Sequence, residues 1–156
     1  MTDYDKIEIV KNLITELLEQ CGVTAKVEFE DSITQGLVFN ISSPDSYLLI
    51  GRQGATLHAI QILAQSLAAK KLQSQEPFWF TVDVDDYKRK REWYLKETAK
   101  AAVEQIKRTG RAVGLEPMPN YERRFVHAYL QKNAPEVFTE SIGREPYRKI
   151  VIRLKK

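Results

Sequence analysis

The sequence contains one cysteine, Cys21, and two histidines, His58 and His127. A lone cysteine excludes an intramolecular disulfide framework and any multi-cysteine zinc site. With two imidazoles and no carboxylate–histidine helix motif, neither a metal centre nor a catalytic triad can be read. No apolar run approaches the ~20 residues that span a bilayer. The opening MTDYDKIEIV lacks the basic start and continuous apolar core of a secretory signal. Repeats and low-complexity stretches are absent as well. These absences describe a soluble, cytoplasmic, non-enzymatic chain, with no cofactor and no membrane insertion. Cys21 follows the apolar run Val10–Leu18 and is expected to be a buried small hydrophobe.

What is present is charge, unevenly spread. A chain of 156 residues falls within the usual span of one domain, roughly 100–200 residues. Yet residues 1–85 carry six Lys/Arg against twelve Asp/Glu, a net of −6, and residues 86–156 carry eighteen against nine, a net of +9. Such asymmetry argues for two small units and for a polyanionic partner or a basic arm.

The periodicity predicts an α+β chain. Ile7, Val10, Leu13, Ile14, Leu17 and Leu18 recur at helical spacing from a start near Thr2 or Asp3 to a stop at Gly22. Two alternating segments, 25–30 and 37–41, read as a strand pair. A short apolar turn over 47–50 precedes a helix from Ala55 to Lys71, with Leu57, Ile60, Leu63, Ala64 and Leu67 on one face. Phe78, Phe80, Val82 and Val84 mark a third strand. A long helix spans 87–109, with Leu95, Ala99, Ala102, Val103 and Ile106 as its buried stripe. Its basic opening conflicts with the helix dipole, and Asp83, Asp85 and Asp86 are placed to offset it. A short strand over 111–115 follows. Asn120 is then expected to cap a helix over 121–131, with Phe125, Ala128 and Tyr129 toward the core, and residues 137–154 form a hairpin.

Gly51-Arg52-Gln53-Gly54 lies between the short apolar turn and a helix. A helix N-terminus leaves N–H groups unsatisfied and attracts phosphate, and two glycines remove the bulk that would hold a phosphodiester away. In this setting of strands and helices the segment resembles a KH domain of the bacterial, type II arrangement, covering residues 1–86. The resemblance implies that Gly51, Arg52, Gln53 and Gly54 clamp about four nucleotides of single-stranded backbone.

Arg123 and His127 stand four residues apart, which on a helix brings their β-carbons to about 5–6 Å. A guanidinium beside an imidazole suits a phosphate. Following the long basic helix and Pro117-Met118-Pro119, the segment Tyr121-Glu122-Arg123-Arg124-Phe125-Val126-His127 resembles the R-three-H domain, named for its Arg-x-x-x-His, over residues 87–156. A KH unit joined directly to such a module resembles the bacterial Jag family, the SpoIIIJ-associated RNA-binding proteins. Many of these begin with a separate amino-terminal domain, so functions resting on that domain are not transferred.

The resemblance implies single-stranded RNA as partner, and pairing with a second copy or with another small KH protein. Arg123, His127 and Arg124 are the candidate phosphate contacts of the second module. Lys88, Arg89, Lys90 and Arg91 are expected to add salt-sensitive backbone affinity. A protein-interaction or ribosome-docking module, and a single-stranded DNA binder, stay open as alternatives. An enzyme reads poorly. Gly51–Gly54 lacks the Lys-Ser/Thr ending of a P-loop, and Asp83, Asp85 and Asp86 read as a strand face and a helix cap before a nuclease metal site.

Overall fold

The structure is a computed structural model that describes every residue except Thr34. The chain forms two compact units, Met1–Lys88 and Arg89–Lys156.

In the first unit, α1 (Asp3–Gln20) starts at a capping box. The Asp5 N–H donates to the Thr2 hydroxyl at 3.2 Å, and the Thr2 N–H donates to the Asp5 carboxylate at 2.7 Å. Strands β1 (Lys26–Ser32) and β2 (Gly36–Ser42) pair antiparallel with Phe29 opposite Phe39, and β3 (Thr81–Val84) pairs parallel with β2, placing Val82 beside Phe39. Between β2 and β3 run α2 (Ser46–Ile50), a 3-10 turn (Arg52–Gly54) and α3 (Ala55–Leu72). The order helix, strand, strand, short helix, helix, strand is the one the periodicity predicts. Phe39, Ile41, Phe80, Val82 and Val84 form the sheet's side of the core, against Val10, Ile14 and Leu18 of α1. The free edge of β3 is covered rather than left open to another strand. Gln61 and Gln65 donate to the Phe80 carbonyl at 2.9 and 3.0 Å, and the Val82 N–H donates to Gln61.

Helix α3 departs from expectation. It buries Leu57, Ala64, Ala68 and Leu72, whereas Leu63 and Leu67, expected in the core, are 45% and 37% exposed beside Ile62. Small Ala64 and Ala68 let the helix lie close on the core, which rotates the leucines outward. Because α3 is apolar on nearly every side, its periodicity does not select a face. Cys21 also differs: it is exposed at the C-cap of α1, where its N–H donates to the Leu17 carbonyl.

In the second unit, α4 (Tyr87–Thr109) buries Leu95, Ala99, Ala102, Val103 and Ile106, the stripe read from sequence. Strands β4 (Val113–Gly114), β5 (Val137–Ile142) and β6 (Lys149–Leu154) form an antiparallel sheet in the order β4-β6-β5. Helix α5 (Asn120–Asn133) packs Val126 and Leu130 against Ile150, Ile152 and the α4 stripe. Pro119, not Asn120, holds the cap position, and Asn120 makes no capping bond. Ala128 is exposed, while Phe125 and Tyr129 are half-buried against the core.

The start of α4 shows how its cations are tolerated. Asp83 is buried rather than on an exposed strand face, and its carboxylate accepts the Val84 and Lys88 N–H groups at 2.8 and 3.2 Å. Asp85 accepts from the Ser46 hydroxyl. Asp83 therefore serves the turn into α4 and Asp85 the start of α2, and no group of potential metal ligands exists among the described residues.

Burial pushes the Asp83 carboxyl above its ordinary value, against the smaller opposing effect of the two N–H donors. The folded chain thus protonates this group at higher pH than the unfolded chain does. Its contribution to stability is full below the unfolded value and declines as pH rises through the folded one. Asp83→Asn keeps an acceptor but abolishes that decline, so its stability relative to the native chain should improve as pH rises from the ordinary aspartate value toward neutrality. Urea denaturation of both proteins across that range measures the difference, and parallel curves would contradict it.

Candidate nucleic-acid interface

The Gly51–Gly54 segment owes its shape to the backbone. Gly51, Gln53 and Gly54 all have positive φ, at 71°, 54° and 79°, a region glycine enters freely and other residues enter with strain. A Cβ on Gly51 would overlap the Thr56 hydroxyl, and one on Gly54 would lie 2.7 Å from the Tyr87 ring. The space a Cβ would take at these glycines is thus filled by the protein's own side chains. What remains available is the start of α3: its cap, Gly54, offers no side-chain hydrogen bond, leaving the first-turn N–H groups without that partner. Arg52 is exposed and Gln53 half-buried beside it.

The motif helix is organised around a buried cation. Covering the core with Val126 and Leu130 carries Glu122 and Arg123 inward on the same face. Arg123, read as a phosphate contact, is buried. One guanidinium nitrogen donates to the Met118 carbonyl at 2.6 Å and another to the Glu145 carboxylate. His127, one turn on, is exposed, and its Nδ1 meets the Thr139 hydroxyl of β5. Arg123, Arg124 and His127, with Asn120, form one wall of a cavity of about 420 Å³. The β5–β6 hairpin supplies the other wall through Thr139, Ser141, Glu145, Arg148 and Ile150. Arg148 is itself anchored, donating to the Ser141 hydroxyl at 2.7 Å and to the Gly143 carbonyl at 3.3 Å.

The helix side of this cavity is legible in the Arg-x-x-x-His spacing, but the hairpin side is not. Strand alternation puts Thr139 and Ser141 on one face of β5; nothing local says that this face meets α5. Chemically the cavity presents three guanidiniums, an imidazole, two hydroxyls and an amide against one carboxylate. That set of donors suits an anion with several oxygens.

The basic opening of α4 does not act as one cluster. Lys88 is half-buried, with its ammonium 3.1 Å from the Gln61 carbonyl oxygen, and burial lowers its proton affinity. Arg91 makes two hydrogen bonds to Glu122, at 2.8 and 2.9 Å, and stacks on Tyr94. Arg89 and Lys90 are exposed. Lys88 and Arg91, expected at nucleic acid, therefore have internal work.

The Glu122 carboxylate of the Arg91–Glu122 pair is almost wholly desolvated, its side chain 4% exposed against 19% for Arg91. Arg91→Gln strands that carboxylate, a loss of about 3–5 kcal/mol for a buried pair. Arg111→Gln, at an exposed arginine outside the pair, should stay within about 0.5 kcal/mol of the native chain. Equilibrium denaturation of the two variants checks the contrast; equal stabilities would refute it.

Residues 94–154 match the R-three-H domain family. RNA-binding protein KhpB of Clostridium symbiosum is 36% identical over 155 residues, covering 96% of this chain and 68% of the relative. RNA-binding protein KhpB of Bacillus subtilis is 31% identical over 153 residues, covering 97% and 72%. The protein of that name from Lactiplantibacillus plantarum is 35% identical over 140 residues, covering 90% of this chain but 42% of the relative. Two of these alignments extend over nearly all of this chain and more than two thirds of the relative, so the chain belongs to the KhpB family, the Jag family that its paired motifs resemble.

Proposed function

We propose that this chain binds single-stranded RNA by its sugar-phosphate backbone and performs no chemistry on it. The observation that carries the proposal is the convergence of Arg123, Arg124 and His127 from α5 with Thr139, Ser141 and Arg148 from the hairpin around one cavity. Charged and hydroxyl donors fixed by their own protein partners are ready for a phosphate without further ordering. The match to the R-three-H family over this unit and the name shared by the relatives support the same reading. The exposed Arg89 and Lys90 would add non-specific affinity, and the cytoplasm is the setting in which such a protein would meet RNA.

The first unit would act as a KH-type domain. Its element order and sheet, and the uncapped α3 start behind Gly51–Gly54, support this assignment. Arg52 and Gln53 would flank the seated phosphate, with the N–H groups of α3 directed at its oxygens. Two carboxylates at this seat, in the double variant Arg52→Asp/Gln53→Asp, should repel RNA, with circular dichroism confirming that the variant is folded. In the second unit His127→Ala and Arg124→Ala should each weaken binding by about 1–3 kcal/mol, with Arg124→Ala the milder. Fluorescence anisotropy with matched single-stranded RNA and DNA measures both sets and tests the preference for RNA. Native affinity in correctly folded variants would remove the corresponding seat from the proposal.

One feature favours a second, compatible role in protein pairing. Ile62, Leu63 and Leu67 form an exposed apolar strip on α3, which polar side chains would ordinarily cover. A second copy of this chain, or a separate small KH protein, would bury that strip. Leu63→Lys/Leu67→Lys should abolish self-association, or association with the added partner, without lowering the melting temperature. Sedimentation velocity reads the outcome, and an unchanged assembly would assign the strip no pairing role.

A further inference from the structure

The cavity between α5 and the β5–β6 hairpin contains an acid that an anion site would not need. Glu145 is the one carboxylate among its lining residues, and it is bonded to Arg123. We infer that Glu145 is a built-in counter-anion, which an RNA phosphate displaces from Arg123 on binding. The inference rests on the reading of this cavity as a phosphate seat.

The pair is unequal in a way that fits displacement. The Arg123 side chain is 8% exposed and is held from behind by the Met118 carbonyl, whereas the Glu145 side chain is 58% exposed. The cation is therefore a fixed fixture of the core and the anion is its solvated, replaceable partner. A guanidinium buried without a counter-charge is costly, so the empty cavity needs an anion and Glu145 supplies it. An incoming phosphate offers the same guanidinium more acceptor oxygens, and it would be repelled by the carboxylate if both stayed. Glu145 can leave, because it sits in the turn joining β5 to β6, and water solvates it once it swings outward. The neighbouring donors need not move with it: Arg148 is anchored on Ser141 and Gly143, and His127 on Thr139. Internal competition of this kind lowers affinity for every anion. Because that cost is the same for each anion, only a ligand that also engages His127 and the hairpin donors keeps enough affinity to bind.

Glu145→Gln tests this, since the amide keeps an acceptor for Arg123 and loses the charge. Glu140→Gln is the control for net charge: Glu140 lies on the same hairpin, facing away from the cavity-lining Thr139 and Ser141, and pairs with Arg153. In the full chain, Glu145→Gln should lower the melting temperature of the free protein. It should also tighten binding of a labelled single-stranded RNA by at least about five-fold, well beyond any gain from Glu140→Gln. Inorganic phosphate should raise the melting temperature of Glu145→Gln more than that of the native chain. Glu145→Asp, which keeps the charge but shortens its reach, should fall between native and Glu145→Gln in affinity, and serves if the amide variant folds poorly. If His127→Ala weakens binding while Glu145→Gln gains no more than Glu140→Gln, the seat stands and the displacement is refuted. Weaker binding of Glu145→Gln to RNA but not to DNA would refute it too, and make Glu145 an acceptor for a ribose hydroxyl. If neither His127→Ala nor Glu145→Gln alters RNA affinity and phosphate shifts no melting temperature, the seat and the inference fail together.

Discussion

The buried guanidinium of Arg123 is the constraint on which the second unit depends. An arginine is always charged at physiological pH, and its burial is tolerable only with acceptors in place. Helix α5 has to present Val126 and Leu130 to the core, and Arg123 goes in with them. The chain meets that demand from two directions, with the Met118 carbonyl ahead of the helix and the Glu145 carboxylate from the far end of the hairpin. Loop, helix and hairpin are joined at one cation, and the cavity lies where they meet. Glu122 extends the same logic on the neighbouring face, where it holds Arg91 and so ties α5 to α4.

The first unit reaches a comparable readiness by other means. Its candidate seat is made of backbone, set by three positive φ angles and by the packing of Thr56 and Tyr87 into the space beside two glycines. A backbone seat fixed in this way loses little freedom when a ligand arrives, as does a guanidinium already held from behind. One unit thus offers N–H groups at a helix start and the other offers cations, hydroxyls and an imidazole. These are the two chemically distinct ways of holding a phosphodiester without reading a base.

Much of the architecture was legible in the residues. Spacing located α1, α4 and the strands, and the stripe from Leu95 to Ile106 was read residue by residue, because polar and apolar positions on α4 are sharply separated. Periodicity selects no face where that contrast vanishes. Helix α3 is apolar on nearly all sides, so Leu63 and Leu67 were assigned to a core that Ala64 and Ala68 occupy instead. Cys21 was judged by its type, and its exposure follows from its place at the C-cap of α1.

For the candidate site the division is between spacing and partnership. By itself the sequence determined that Arg123 and His127 share one side of a helix, that Gly51 and Gly54 bracket a turn before α3, and that the positive charge lies in the second half. Those properties follow from local geometry and composition. Only the tertiary structure decided which of these groups are already occupied: Arg123 by Met118 and Glu145, Arg91 by Glu122, Lys88 by Gln61. It alone placed Thr139, Ser141 and Arg148 across from α5. The physical reason is that a charged side chain is satisfied by whatever the fold brings within about 3 Å, and those partners lie five to more than thirty residues away along the chain.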